Sequence, residues 1–280
     1  MSTALDLSAA AVDLCQKRGY EFHGDLGKGA FKSAYLAKNA QTSFALKLAA
    51  ITGSPERLVR ETAALQGCSH SAIASLFEAF PFTFGGVQFW VVCEEYLAGG
   101  TLENRLKGGL PPPATLREIA VTLAEVLEHL NEKKLVHRDI KPANIMFRAD
   151  GAPVLTDFGI VRMLDQPTLT KAFLNMGPGT PAYASPEQLT NEKALIDWRT
   201  DQFDLAIVLA ECLIGYHPFL VQGKTIHDAI VSVAAKQEMP TANAQRLQAL
   251  GFGCLVKALK PWPIARYRRP SEFIESLKQP

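Results

Sequence analysis

The chain changes character near Ala98-Gly99-Gly100, and that change limits the folds open to it. Before this point, short apolar runs over 20–26, 31–38, 43–49, 74–80 and 87–93 read as strands. Asn39 and Phe84-Gly85-Gly86 supply turns between them. Residues 4–17 read as a short helix. Residues 55–67 carry a helical pattern, with Leu58, Val59, Ala63 and Leu65 on one face and Gly67 as a stop. After the glycines, Pro111-Pro112-Pro113 precedes a long amphipathic helix over 114–133. Beyond Pro186, helices are expected over 186–190, 198–215, 225–235, 243–258 and 270–278. Strands first and helices afterwards predict an α+β fold of two lobes with a cleft at the joint.

Composition narrows the classes of function. A chain of 280 residues buries enough surface to fold without disulfides. The five cysteines, Cys15, Cys68, Cys93, Cys212 and Cys254, form no C-x-x-C pair and are odd in number. That argues against a metal site or a disulfide framework, and for small buried groups in a reducing compartment. With 29 Lys+Arg against 28 Asp+Glu, the net charge is +1, so neither nucleic acid nor an anionic membrane is an expected partner. The N-terminus has acidic interruptions and no basic start, unlike a signal peptide. The most apolar later stretch, 205–216, contains Glu211 and falls short of the roughly 20 residues a bilayer needs. A soluble, cytoplasmic protein is expected.

The chemistry concentrates in His137-Arg138-Asp139-Ile140-Lys141-Pro142-Ala143-Asn144, followed by Asp157-Phe158-Gly159 after a run that reads as a β-hairpin. One short loop thus carries a carboxylate, a lysine and an amide, with a second carboxylate behind it. Such groups suit aligning a hydroxyl, holding magnesium and steadying a phosphoryl group in transit. A lone H-R-D tripeptide would be weak evidence; the joint run is not. The chain resembles the eukaryotic-like (Hanks-type) Ser/Thr protein kinase family from about residue 20 to 277. The resemblance implies one kinase domain over 1–280, a β-rich N-lobe at about 14–97 and a helical C-lobe at about 98–280.

By that resemblance Asp139 accepts or orients the hydroxyl proton, and Lys141 offsets charge on the γ-phosphoryl group. Asn144 and Asp157 hold Mg2+, with Mn2+ as an alternative ion. His137 and Phe158 pack internally. Gly27 and Gly29, in Gly27-Lys28-Gly29-Ala30-Phe31, let backbone N–H groups approach the phosphates of ATP. Lys32 stands where a third glycine is usual. Lys47, in Ala45-Leu46-Lys47, contacts the α- and β-phosphates and pairs with a helix glutamate. Glu61 is the choice for that glutamate and Glu56 the alternative. Glu95-Tyr96-Leu97 matches the hinge, where the backbone at Glu95 and Leu97 holds adenine. Glu94 then falls at the back of the nucleotide pocket, an unusual place for a carboxylate. It binds the adenine amino group, pairs with a lysine, or signals a register error of one residue.

Gly179-Thr180-Pro181-Ala182-Tyr183-Ala184-Ser185-Pro186-Glu187 resembles the end of the activation loop. The resemblance implies a buried ion pair from Glu187 to Arg266, with Arg269 as runner-up, and has Asp201 brace the catalytic loop. Trp262 replaces an expected aspartate. Lys141 and Thr180 fit Ser/Thr specificity, so the expected substrate is a protein Ser/Thr hydroxyl. Arg138 suits a phosphate on the activation loop, where Thr168 and Thr170 are expected to be autophosphorylated. Two competing readings are a pseudokinase acting by contacts alone and a small-molecule kinase. The intact Lys47, Asp139, Asn144 and Asp157 oppose the first, and the Glu187 segment opposes the second. The sequence leaves the substrate, the activating signal and the oligomeric state open.

Overall fold

The computed structural model describes residues 7–28, 32–51, 59, 62, 66–157 and 181–279. They fall into two compact units, divided between Leu97 and Ala98, with residues 70–73 belonging to the second.

The first unit is built on five antiparallel strands: β1 (Glu21–Lys28), β2 (Lys32–Lys38), β3 (Ser43–Ala50), β4 (Leu76–Phe84) and β5 (Val87–Glu95). Their order across the sheet is β1-β2-β3-β5-β4. Local chemistry fixes the hairpins. The Asn39 side-chain oxygen accepts from the backbone of Gln41 and Thr42 at 2.9 and 2.8 Å, closing the β2–β3 turn. Gly85 and Gly86 both have positive φ, 57° and 79°, as a two-residue hairpin between β4 and β5 requires.

Alternation on β3 separates two faces. Phe44, Leu46 and Leu48 join Tyr35, Phe89, Val91 and Cys93 in one apolar cluster. Helix α1 (Leu7–Arg18) covers that cluster with Ala10, Ala11, Leu14 and Cys15, all essentially inaccessible. The helix stops at Gly19, whose φ is 67°, and the Tyr20 N–H returns to the Cys15 carbonyl at 2.8 Å. Ala45, Lys47 and Ala49 leave the opposite face, where Trp90 and Val92 pack with Leu76 and Ala79. Val59, Thr62 and Gln66 are helical, within the stretch expected to form a helix.

The second unit contains α2 (Leu102–Leu106), α3 (Pro113–Glu132), β6 (Ile145–Phe147), β7 (Pro153–Leu155), α4 (Pro186–Leu189), α5 (Trp198–Ile214), α6 (Ile226–Ala234), α7 (Thr241–Ala249), α8 (Cys254–Ala258) and α9 (Pro270–Lys278). Helix α5 is buried on nearly all sides, which explains its apolar run over 205–210. Asp197 and Thr200 form a capping box at its start, and Gly215 ends it in the left-handed region at φ 84°. Helix α3 packs against α5 and α9. Among the described residues, no helix is long and apolar enough to cross a membrane.

One expectation needs correction, and one element lies beyond the expectations. Residues 243–258 are not one helix: α7 closes near Leu250, Gly251 turns at φ 76°, and α8 starts three residues later. The turn sends Phe252 into the core, where it is fully buried. Helix α2 was not expected, because five residues are too few to show a period. Its signal is local: Thr101 Oγ1 accepts from the Asn104 N–H at 3.1 Å. Of the five free cysteines, Cys15, Cys93 and Cys212 are buried, and Cys68 and Cys254 are half-buried. Burial pushes the Cys15 thiol up to about 11 and Cys212 to about 12, away from reactivity.

Candidate active site

In the first unit, the focal pair is Lys47 on β3 and Glu94 on β5. The register sets Ala45 opposite Glu94 and Lys47 opposite Val92. The two charged side chains therefore leave the same face on adjoining strands, and the Lys47 ammonium meets the Glu94 carboxylate in an ion pair. Glu95 ends β5. Its N–H donates to the Ser75 carbonyl at 2.9 Å, and its side chain accepts from the Ser75 N–H at 3.3 Å. Leu97 follows, 3% exposed. Gly27 lies in β1 opposite Ala34, beside a bulge, and a Cβ there would meet nothing within 4 Å.

The second unit carries the Asp139 loop. Lys141 Nζ donates to Asp139 Oδ2 at 3.1 Å. Asn144 Nδ2 donates to the same oxygen at 3.1 Å and to the Asp139 carbonyl at 2.8 Å. Asp139, Lys141 and Asn144 thus form one cluster, with the carboxylate orientation set by two donors. His137 supports it from below. The Asp139 N–H donates to His137 Nδ1 at 3.2 Å, and Nε2 lies 3.1 Å from the Thr156 carbonyl. A carbonyl only accepts and an amide N–H only donates, so the ring is neutral and protonated at Nε2. Burial agrees, pushing His137 down to about 4.

Asp201, on the buried helix α5, accepts from the backbone N–H of His137 at 2.7 Å and of Arg138 at 2.8 Å. Burial raises its carboxyl to about 7, against the two N–H bonds, which favour the charged form. These bonds hold Arg138 at φ 64°, a conformation costly for a residue with a side chain. Gln188 Nε2 adds a bond to the Arg138 carbonyl at 2.8 Å. Gln188 was not among the expected site residues, although Ser185-Pro186-Glu187-Gln188 spells a capping box.

Glu187 is buried and forms a two-pronged pair with Arg266, Nη1 to Oε1 at 2.8 Å and Nη2 to Oε2 at 2.9 Å. The Thr200 hydroxyl donates to Glu187 Oε1 at 2.9 Å. Arg269, the other candidate, instead meets Glu272 at the surface. Tyr183 was also not anticipated. Its hydroxyl donates to Glu211 at 2.7 Å beside a groove that Glu103, Leu106 and Pro142 help to line.

Oxygen donors for a hard cation are present. Asn144 points its NH2 at Asp139, so its amide oxygen faces the other way. Asp157 follows Thr156 and sits at φ 64°. One amide oxygen and one carboxylate fit magnesium, which takes few protein ligands and completes its shell with water and phosphate oxygens. Among the described residues, no group of three or more His, Cys, Asp or Glu could hold a metal by itself. Gly29, Glu56, Glu61, Phe158, Thr168, Thr170 and Thr180 lie outside the described residues, as does the side chain of Lys32.

The protein kinase domain family matches residues 20–269, so the chain belongs to the protein kinase family. The first unit is its β-rich N-lobe and the second its helical C-lobe. Among similar proteins, serine/threonine-protein kinase PknF of Mycobacterium tuberculosis is 31% identical over 277 residues, covering 92% of this chain and 56% of PknF. Serine/threonine-protein kinase PknB of Mycobacterium leprae is 30% identical over 269 residues, covering 91% of this chain and 42% of PknB. The probable serine/threonine-protein kinase CPE1738 of Clostridium perfringens is 34% identical over 192 residues, 66% of this chain and 26% of that protein. The chain spans about half the length of PknF and less of the other two.

Proposed function

We propose that this chain is an ATP-dependent protein kinase that transfers the γ-phosphoryl group to Ser and Thr hydroxyls of proteins, its own activation segment included. The observation that carries the reading is the Asp139 cluster, in which Lys141 and Asn144 both donate to one carboxylate oxygen. A carboxylate so oriented takes or directs the proton of an incoming hydroxyl. Lys141, held at that carboxylate, offsets charge on the moving phosphoryl group. Lys47 binds the α- and β-phosphates, and the backbone at Glu95 and Leu97 holds adenine. Gly27 and Gly29 bring N–H groups to the phosphates. Asn144 and Asp157 hold magnesium, or manganese in its place, which when bound supplies positive charge against the phosphate oxygens. Asp201 and Gln188 hold the loop backbone, and Glu187 with Arg266 anchors the segment before α5. Arg138 suits a phosphorylated Thr168 or Thr170. The dependence on ATP suits a cytoplasmic site of action.

Transfer from labelled ATP with magnesium tests this, using wild type beside Asp139→Asn and a generic basic protein as acceptor. Label on acceptor or chain is expected in wild type, falling about 10²- to 10⁴-fold in the variant. No transfer by wild type, or equal transfer by both, overturns the reading. Intact-mass and peptide analysis of active protein locates any phosphate. Unmodified Thr168 and Thr170 would remove the autophosphorylation part.

A further inference from the structure

Lys47 and Glu94 are both largely buried, 15% and 12% exposed at the side chain. Around them on the same sheet face are Ala45, Ala49, Trp90 and Val92, all buried and apolar in character. An ammonium in such surroundings needs an anion close by. Glu94 supplies one from the sheet itself. It is paired with Ala45 on β3 and with Leu76 at the end of the β4 ladder, so its backbone is held on both sides. Cross-strand neighbours on one face hold each other at short range, with the ladder fixing the spacing. The ion pair gives that carboxylate a task at Lys47.

We propose that Glu94 is a positioning residue for Lys47. Its carboxylate holds the lysine ammonium in place and aimed for phosphate from within the sheet, before nucleotide arrives. This rests on the reading of Lys47 as the phosphate-binding lysine, and it adds a residue to that function rather than replacing one. Glu94 acts through Lys47, and its effect on nucleotide binding vanishes when Lys47 is gone.

The test has one arm that needs no catalysis. The protein without nucleotide is pulsed with acetic anhydride at pH 8, and acylation is read by peptide mass spectrometry. The exposed Lys17 and Lys278 serve as references within the same molecule. Glu94→Gln keeps the shape and removes the charge. Acylation of Lys47 is expected to rise about tenfold relative to Lys17, since the amine is freed from the charge-assisted bond that occupies it. Glu94→Asp is expected to fall between wild type and Glu94→Gln. If Glu94→Gln melts early, Glu94→Leu removes the charge with an apolar group suited to the face.

The second arm measures binding of a fluorescent ATP analogue and the KM for ATP. Glu94→Gln is expected to weaken both about tenfold with a smaller change in kcat, and to add nothing to the loss of analogue binding in a Lys47→Met background. Unchanged Lys47 acylation overturns the proposal. So does an equal loss of nucleotide affinity with and without Lys47. Should wild type transfer no phosphate while Glu94→Gln still speeds acylation, the kinase reading falls and the ion pair stands. Should transfer occur with acylation and KM unaltered, the role of Glu94 falls and the kinase reading stands.

Discussion

Replacing Arg266 by alanine should be among the most damaging single changes in the second unit. All five guanidinium N–H groups are engaged. Nε donates to the Lys260 carbonyl at 2.8 Å, Nη1 to Glu187 and the Arg199 carbonyl, and Nη2 to Glu187 and the Pro261 carbonyl. The guanidinium carbon also lies 4.6 Å from the centre of the Phe203 ring. Both charged partners are essentially inaccessible, at 0% and 1% exposure. Solvent therefore cannot replace the lost cation, and Glu187 is left charged in the interior with only Thr200 as a described donor. Breaking a buried pair in this way costs about 3–5 kcal/mol, which corresponds to a fall in melting temperature of roughly 10 °C for a chain this large. Arg266→Lys keeps the charge but has three donors and no planar fork, so it should recover only part of the loss. Arg266→Met with Glu187→Leu, which removes both charges, should cost less than Arg266→Ala alone. Urea denaturation followed by circular dichroism measures all three. A loss below about 1 kcal/mol for Arg266→Ala, the range of surface pairs, would refute the argument. So would a double variant as damaged as the sum of its parts.

Two further outcomes follow from other parts of the same unit. His217 is wired like His137, with the Phe219 N–H on Nδ1 at 3.2 Å and Nε2 at 2.7 Å from the Ala182 carbonyl, and burial lowers it from 6.5 to about 4. A neutral native histidine of depressed pKa contributes stability fully present above 6.5 and lost as pH falls toward about 4. That amounts to roughly 3 kcal/mol. The raised carboxyl of Asp201 acts with the opposite sign between its ordinary value and about 7, so the contribution of His217 is best read as a difference. His217→Gln should reduce the slope of stability against pH by up to one proton between pH 6.5 and 4, and an unaltered slope would contradict the assignment. At Gly99, an added Cβ would stand 2.7 Å from the Phe147 carbonyl oxygen and 2.8 Å from its Cβ. Gly99→Ala should lose about 1–3 kcal/mol. A thermal melt equal to wild type would show that the strand and the glycine can part cheaply.

The strands of the first unit were legible because alternation and turn chemistry agreed: Asn39 and Gly85-Gly86 fall at the two hairpins. The long helices were legible from period and length. What escaped was set by single residues. One glycine, Gly251, breaks a helical pattern that otherwise runs across it. One threonine, Thr101, starts a helix too short to have a pattern. In the site, the sequence brought Asp139, Lys141 and Asn144 within one loop, but not the sharing of a single oxygen between two donors. It left three readings open for Glu94. The cross-strand register, which no local pattern encodes, is what sets that carboxylate against Lys47. Gln188 hid for a different reason. Its capping-box spelling is visible, but its bond to the Arg138 carbonyl links residues fifty positions apart.

Helix α1 has a practical consequence for handling this protein. The family match starts at residue 20, just beyond the helix, and a shortened chain cut at that boundary would keep every motif. It would also strip the cover from Tyr35, Phe44, Leu46, Leu48, Phe89 and Val91. An uncovered apolar face of that extent is the kind that makes proteins cling to one another. The trimmed chain would keep the Asp139 loop and still precipitate, and a missing function could be mistaken for a fault in that loop.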